Sequence, residues 1–168
     1  MSDPQTDVDQ RYSYEGFEGT PWSAARDRLT GAELYWLTTL RADGRPHQTP
    51  LIGLWVDDRF RFTTGPGEQK ERNLRSNADV LVTTGVDTWA AGMDVIVEGA
   101  AQRITDRAEL QATADAYEGK YGAVWHFDVG DGAFATSNGE AWVFEITPAV
   151  VHAYAKGEPG GQTRYRFT

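Results

Sequence analysis

Apolar and polar positions alternate with period two along much of the chain, the pattern of strands with one buried face. Arg59-Phe60-Arg61-Phe62 is the plainest case. The pattern predicts strands over about 34–41, 46–56 and 59–64, punctuated by Asp43-Gly44 and Asp57-Asp58. Asp-Gly between β-rich runs is a strong hairpin signal. Residues 79–85 predict a fourth strand and 93–105 a long fifth, in which Gly99 marks a bulge or sharp bend. Residues 140–147 predict a sixth, broken by Pro148; 150–155 continues it or pairs with it, and 163–167 forms a short closing strand.

The helical period appears in three places. Thr20-Pro21 predicts a start, with Thr as N-cap and Pro at the first helical position, and the helix runs to about Thr30. A second helix follows Gly67 and ends near Ser76-Asn77. Asp106 and Glu109 form a capping box, and Leu110, Ala114, Tyr117 and Tyr121 give the helix it opens one apolar face. Residues 122–140 are glycine-rich and read as loop. Mostly antiparallel strands with few helices predict a mainly β fold, a small closed barrel with flanking helices, which leaves no free sheet edges.

The first 19 residues break the pattern. Asp3, Asp7, Asp9, Glu15 and Glu18 stand against Arg11, so 1–19 is expected to be a flexible acidic segment whose Tyr12, Tyr14 and Phe17 lie across the body and restrict access to a pocket. Residues 20–168 are expected to form one domain, as the length of 168 allows. A net charge of −9 argues against a nucleic-acid or anionic-membrane surface. The absence of cysteine excludes thiolate catalysis and Cys-ligated metal centres, and it is compatible with the cytoplasm. No apolar run reaches the ~18 residues of a membrane span, and the N-terminus has no signal-peptide core. The three histidines, His47, His126 and His152, are scattered without a metal-ligand spacing.

One stretch carries candidate chemistry. In "TTGPGEQKERNL" (63–74) a strand, a glycine turn and a helix follow one another, with Lys70 and Arg72 in the first helical turns. Cations are disfavoured there, because the free N–H groups make that end partly positive. A bound anion would explain them. The turn lacks the Walker spacing and the third glycine of a dinucleotide fingerprint, so a phosphate site of another kind is expected, against the alternative of a solvated surface lysine. Asn73 follows Lys70 by three residues on the same face. On the 46–56 strand, Thr49 lies opposite Thr63 and Thr64, in a position to line a planar ligand, and Pro50 marks an edge or bulge. Trp89 and Trp125 fall in expected loops, where core burial explains them less well than the other tryptophans.

Taken together, residues 37–85, with "VIVEGAAQRITD" (95–106) and the closing "GQTRYRF", resemble the pyridoxamine 5′-phosphate oxidase-like family of FMN-binding split β-barrels. The narrower resemblance is to its actinobacterial flavin- and deazaflavin-dependent oxidoreductases. The motifs are the Asp-Gly hairpin with its following prolines, and the F-x-T…K-x-x-N-L turn and helix. The resemblance implies a six-stranded antiparallel split barrel and a homodimer with cofactors at the interface. It assigns Lys70 to the cofactor phosphate with Glu68, Gln69 and Asn73 around it, and Gln48, Thr49, Pro50, Phe62, Thr63 and Thr64 to the ring system. The cofactor implied is FMN or coenzyme F-420, with F-420 favoured and its anionic tail lined by Arg45, Arg72 and Arg75. Arg164 or Arg166 is expected to reach a cofactor or a partner chain. "ELYWLTTLRADG" lacks the basic Arg-x-x-x-Leu-Lys strand of the vitamin B6 oxidases, so that substrate is not expected. The expected function is hydride transfer to or from a small electrophile. The alternative is a non-catalytic flavin or haem carrier using His126 or His152.

Overall fold

The computed structural model describes residues 3–137 and 139–168. Met1 and Ser2 of the expected flexible segment, and Asn138 of the expected loop, lie outside the described residues. The strands are β1 (Gln5–Asp9), β2 (Tyr35–Leu40), β3 (Pro46–Leu51), β4 (Leu54–Val56), β5 (Arg59–Thr64), β6 (Asp79–Thr84), β7 (Gly92–Ile104), β8 (Asp128–Val129), β9 (Phe134–Thr136), β10 (Gly139–Lys156) and β11 (Gly161–Arg166). The α-helices are α1 (Trp22–Gly31), α2 (Gln69–Leu74) and α3 (Arg107–Tyr121).

All strand pairing is antiparallel, and the main ladder runs β1-β11-β10-β7-β6-β2-β3. β10 is the spine. It pairs with β7 along its length, with β5 through Trp142–Ile146 and with β11 through Val150–Ala155. It continues through Pro148, where a break in the strand was expected. The pairing shifts register there, from Pro148 opposite Gly99 to Val150 opposite Glu98, so the bulge lies on β10 and the glycine is its partner.

The expected 46–56 strand divides in two, and this division splits the barrel. β3 stays with β2, while β4 crosses to β5. The freed backbone at Gly53 is satisfied by the end of α3: its N–H donates to Tyr121 Oη (3.1 Å), and its carbonyl accepts from Tyr121 Oη (2.8 Å) and Lys120 Nζ (3.1 Å). Each of β3 and β4 therefore keeps a free edge, where a closed barrel was expected to leave none.

Period-two alternation sets what is inside. Phe60 and Phe62 point inward from β5, Val80 and Val82 from β6, Val95 and Val97 from β7, all buried. They form the barrel core with Trp22, Leu29, Tyr35 and Tyr165. A second core lies on the outer side of β10, where Leu110, Ala114 and Tyr117 of α3 pack against Val143, Ile104 and Phe134. Each such large side chain contributes roughly 1.5–3 kcal/mol.

Two local expectations change. Thr20 does not cap α1; its N–H donates to Thr163 Oγ1 (2.8 Å) and its carbonyl accepts from Tyr165 Oη (2.6 Å), tying the chain to β11. Part of the expected flexible segment is β1, paired residue for residue with β11 from Gln5 opposite Arg166 to Asp9 opposite Gln162. β1 has no apolar period, only Val8. What holds it is the backbone ladder and the Asp7–Arg164 ion pair at 2.6 Å, with Arg166 at 3.9 Å. Among the described residues no helix is long and apolar enough to cross a membrane.

Candidate functional site

The turn between β5 and α2 is built on Gly67, whose φ of +79° lies in the left-handed region that favours glycine. Glu68 occupies the N-cap position without capping the helix by its side chain. Its Oε2 instead accepts from Thr64 Oγ1 (2.9 Å) and pairs with Lys70 Nζ (2.7 Å), which holds its pKa below the usual carboxylate range. Glu71 is buried; it accepts from Gly67 N (3.0 Å) and pairs with Arg75, whose hydrogen bond lowers its pKa. Arg72 leans back to the Gly67 carbonyl (2.6 Å) and Gln69 Oε1 (2.9 Å). The cations of this six-residue helix are thus balanced by its own carboxylates and carbonyls, Lys70 by Glu68 above all.

Lys70 stands at the mouth of a cleft of about 790 Å³. Thr63, Thr64, Gly65 and Glu68 form the near wall, and 124–128, 135–137 and Glu140-Ala141 the far one. The expected loop 122–140 contributes most of that wall and contains the short strands β8 and β9. Two basic side chains line the cleft: Lys70 and, on the other wall, His126, whose Nε2 lies 3.6 Å from Asp128. Glu118 bonds His126 Nδ1 (2.6 Å) and raises its pKa.

The other expected site residues are dispersed. Phe62 is fully buried between Phe60 and Phe144, so it belongs to the core and cannot flank a ligand from an open surface. Alternation puts Phe62 on the barrel side of β5 with Phe60, opposite Thr63; Thr64, on the same side as Phe62, reaches the cleft at the end of the strand. Asn73 is buried; it accepts from Gln69 Nε2 (2.7 Å) and donates to Thr39 Oγ1 (2.8 Å), fixing α2 to β2. On β3 the faces separate. Gln48 donates to Thr38 Oγ1 (3.0 Å) and lines a different cavity on the outer sheet face with Trp36 and Tyr154, and Pro50 shares its exposed side. Thr49 and His47 face the other way. Thr49 Oγ1 and His47 Nδ1 are buried without a hydrogen-bond partner. Burial lowers the pKa of His47, and nearby Arg41 and Lys70 lower it further.

None of the arginines expected along an anionic tail lines the cleft. Arg45 pairs with Asp43 (2.7 Å), and Arg72 and Arg75 fold back onto α2. Arg164 and Arg166 face Asp7. Tyr12 and Tyr14 line a separate cavity of about 560 Å³ with Trp89, away from Lys70, where the sequence placed them over a pocket. His152 has both nitrogens engaged, with Glu98 (3.2 Å) and Gln162 (3.0 Å). Among the described residues no cluster of three His, Asp or Glu side chains is placed to hold a metal. The sequence reading missed Glu71, Thr39 and the carboxylates Asp128 and Glu140, and offered His126 only as a haem ligand; these residues share no motif and are placed only by the fold.

The sequence profile of the pyridoxamine 5′-phosphate oxidase family matches residues 22–155, from α1 to the end of β10. The chain belongs to that family. No curated protein matches it in sequence. Solved structures with the same fold include a pyridoxamine 5′-phosphate oxidase-related, FMN-binding protein of Nostoc punctiforme (16% identity, TM-score 0.60, 90% of this chain and 93% of that one). An FAD-binding protein of Mycobacterium smegmatis gives 19% identity and TM-score 0.57, over 89% and 98%. A haem-binding protein of the same organism gives 16% and 0.65, over 86% of this chain and 58% of that one. At these identities the likeness is one of fold. β3 of this chain, Pro-His-Gln-Thr-Pro-Leu, carries no lysine or arginine.

Proposed function

We propose that this family member binds a phosphate-bearing flavin and uses it for hydride transfer to or from a small electrophilic molecule. The observation that carries the reading is that two of the seven buried side-chain atoms left without a hydrogen-bond partner among the described residues, Thr49 Oγ1 and His47 Nδ1, fall together on an edge strand, with His47 close to Lys70. Two such groups side by side on one face of a strand can bond a ligand that spans both. A flavin ring offers donors and acceptors in one plane, and its phosphate suits Lys70. When bound, the cofactor supplies the hydride chemistry; the chain binds it, orients it and excludes water. FMN and FAD-binding relatives of the same fold support this choice. Between FMN and F-420 the site favours the flavin, because Arg45, Arg72 and Arg75 are turned away from the cleft that an anionic tail would occupy. The haem-carrier alternative has a haem-binding structure of the same fold behind it, but both nitrogens of His152 are engaged, and Nδ1 of His126 is held by Glu118.

Lys70 must exchange Glu68 for the phosphate. Glu68 is half-exposed (51% of its side chain), so its carboxylate can turn to solvent once it gives up Lys70 and Thr64. Two variants test this by titration of FMN into ligand-free protein. Lys70→Ala is expected to weaken binding by about 10- to 100-fold, the worth of a hydrogen bond to a charged group. Glu68→Gln is expected to tighten it severalfold, because the competing carboxylate is gone. Unchanged affinity in Lys70→Ala would defeat the placement of the phosphate.

The reading includes a homodimer. The outer face of β2, β6 and β7 exposes Trp36 and Leu81 and carries two shallow apolar hollows of about 500 and 440 Å³. A face of this kind on a folded chain suits a partner.

A further inference from the structure

Trp125 is the open end of an aromatic stack rooted in the core. Phe134, fully buried, stacks on Phe127 at 4.7 Å and 17°. Phe127 also meets buried Tyr117 edge-on at 5.5 Å and 81°, and Trp125 tilted at 6.2 Å. Trp125 is therefore positioned from behind, yet it remains 39% exposed and lines the cleft that begins at Lys70. A solvent-facing loop has no need of so large a ring held this way.

The cleft is too large for a phosphate alone. At about 790 Å³ it is the size of a whole small-ligand site, and a cofactor that ended at Lys70 would leave most of it empty. Its charges say what else it takes. Glu68, Asp128 and Glu140 line it, and Glu140 is held in place by the indole N–H of Trp142 (3.1 Å). Carboxylates around an aromatic platform accept from hydroxyl and amino groups, and they repel a chain of further carboxylates. The ligand portion is thus flat, neutral and rich in donors, joined to phosphate.

Resting on the reading that Lys70 takes a cofactor phosphate, we propose that the cofactor is a dinucleotide flavin of the FAD class, its adenine against Trp125. Lys70 and His126 serve the two phosphates, and Asp128 and Glu140 accept from ribose hydroxyls or the adenine amino group. Trp125 is a specificity-determining residue: it distinguishes FAD from FMN and takes no part in hydride transfer.

The test is a set of equilibrium titrations of the ligand-free full-length protein with FMN, FAD and ADP, read by flavin fluorescence and by calorimetry. FAD is expected to bind at least about tenfold more tightly than FMN, the increment of one base stacked on an aromatic side chain. ADP is expected to compete with FAD and, because its terminal phosphate takes the place of the flavin-side phosphate at Lys70, with FMN as well. Trp125→Ala should reduce FAD affinity to the FMN level without affecting FMN, and Trp125→Phe, which keeps the platform, should retain most of the preference. Equal affinities for FMN and FAD, or a Trp125→Ala protein that still prefers FAD, would overturn the inference and leave the flavin reading standing. Binding of neither flavin would remove the flavin reading itself.

Discussion

Lys120 carries its charge in a place that resists it. Its Nζ donates to Tyr35 Oη (3.0 Å) and the Gly53 carbonyl (3.1 Å), and burial lowers its pKa to about 8. An unfolded lysine titrates near 10.4. Between these values the unfolded chain holds a proton that the folded chain has released, so stability rises with pH across that window. Below about pH 8 both states hold the proton and the folded state bears the full desolvation cost. Buried tyrosines act in the opposite sense. Burial pushes Tyr165 up to about 12, and Tyr35 and Tyr117 upward as well, so above roughly pH 10 the unfolded chain ionises first and stability falls. Urea midpoints are expected to rise from pH 8 to a maximum near pH 10 and then drop. Lys120→Met should abolish the rise and keep the drop; a wild-type curve already falling from pH 8 would refute the argument. None of this was legible in the sequence, where Lys120 is an ordinary lysine near the end of an amphipathic helix. Its neighbours Tyr35, on β2, and Gly53, between β3 and β4, lie far away along the chain. The same holds for Lys70: its presence at the turn was readable, but its neutralisation by Glu68 depends on side-chain directions that spacing does not fix.

At the scale of elements, local patterns predicted well wherever burial followed a period. Phe60/Phe62, Val80/Val82 and Val95/Val97 face the core as their alternation requires, and Asp106 caps α3 by accepting from the N–H groups of Ala108 and Glu109. β1 was missed because charge and backbone pairing hold it, and those leave no period to read. Glycine positions were half-legible. Gly99 was recognised as a place of irregularity, and the structure supplies the cause: a Cβ there would press into the Thr147 carbonyl and the Ile146 side chain across the β7–β10 ladder. That contact is with backbone, which cannot rotate away. Gly99→Ala is expected to lower stability by roughly 1–3 kcal/mol, the usual cost of overpacking, measured as a shift in the urea midpoint. Gly44 is the control. A side chain there meets nothing within 4 Å, so Gly44→Ala carries only the strain of its φ of +81°.

For the whole molecule, the division of the 46–56 strand matters most. It opens the barrel between β3 and β4 and leaves β3 a free edge beside an outward face bearing Trp36 and Leu81. The proposed homodimer covers that face. Light scattering is expected to give twice the 18.6 kDa chain mass. Leu81→Glu, which places a charge on a face 39% exposed at that residue, is expected to return the protein to the single-chain mass without unfolding it. A wild-type protein that is monomeric at micromolar concentration would exclude the dimer.

Composition and periodicity by themselves determined that this chain is mainly β, that cysteine chemistry has no part in it, and that the turn before α2 concentrates polar and cationic groups. These are local properties: a period of two, a missing residue type, a glycine turn. Tertiary structure alone decided that Phe62 is core and Asn73 a strut, that His47 and Thr49 are left with buried atoms unpaired, and that Trp125, Asp128 and Glu140 share a cleft with Lys70. Those relations join residues from separate elements, and only the packing of one sheet face against another brings them within hydrogen-bonding or stacking distance.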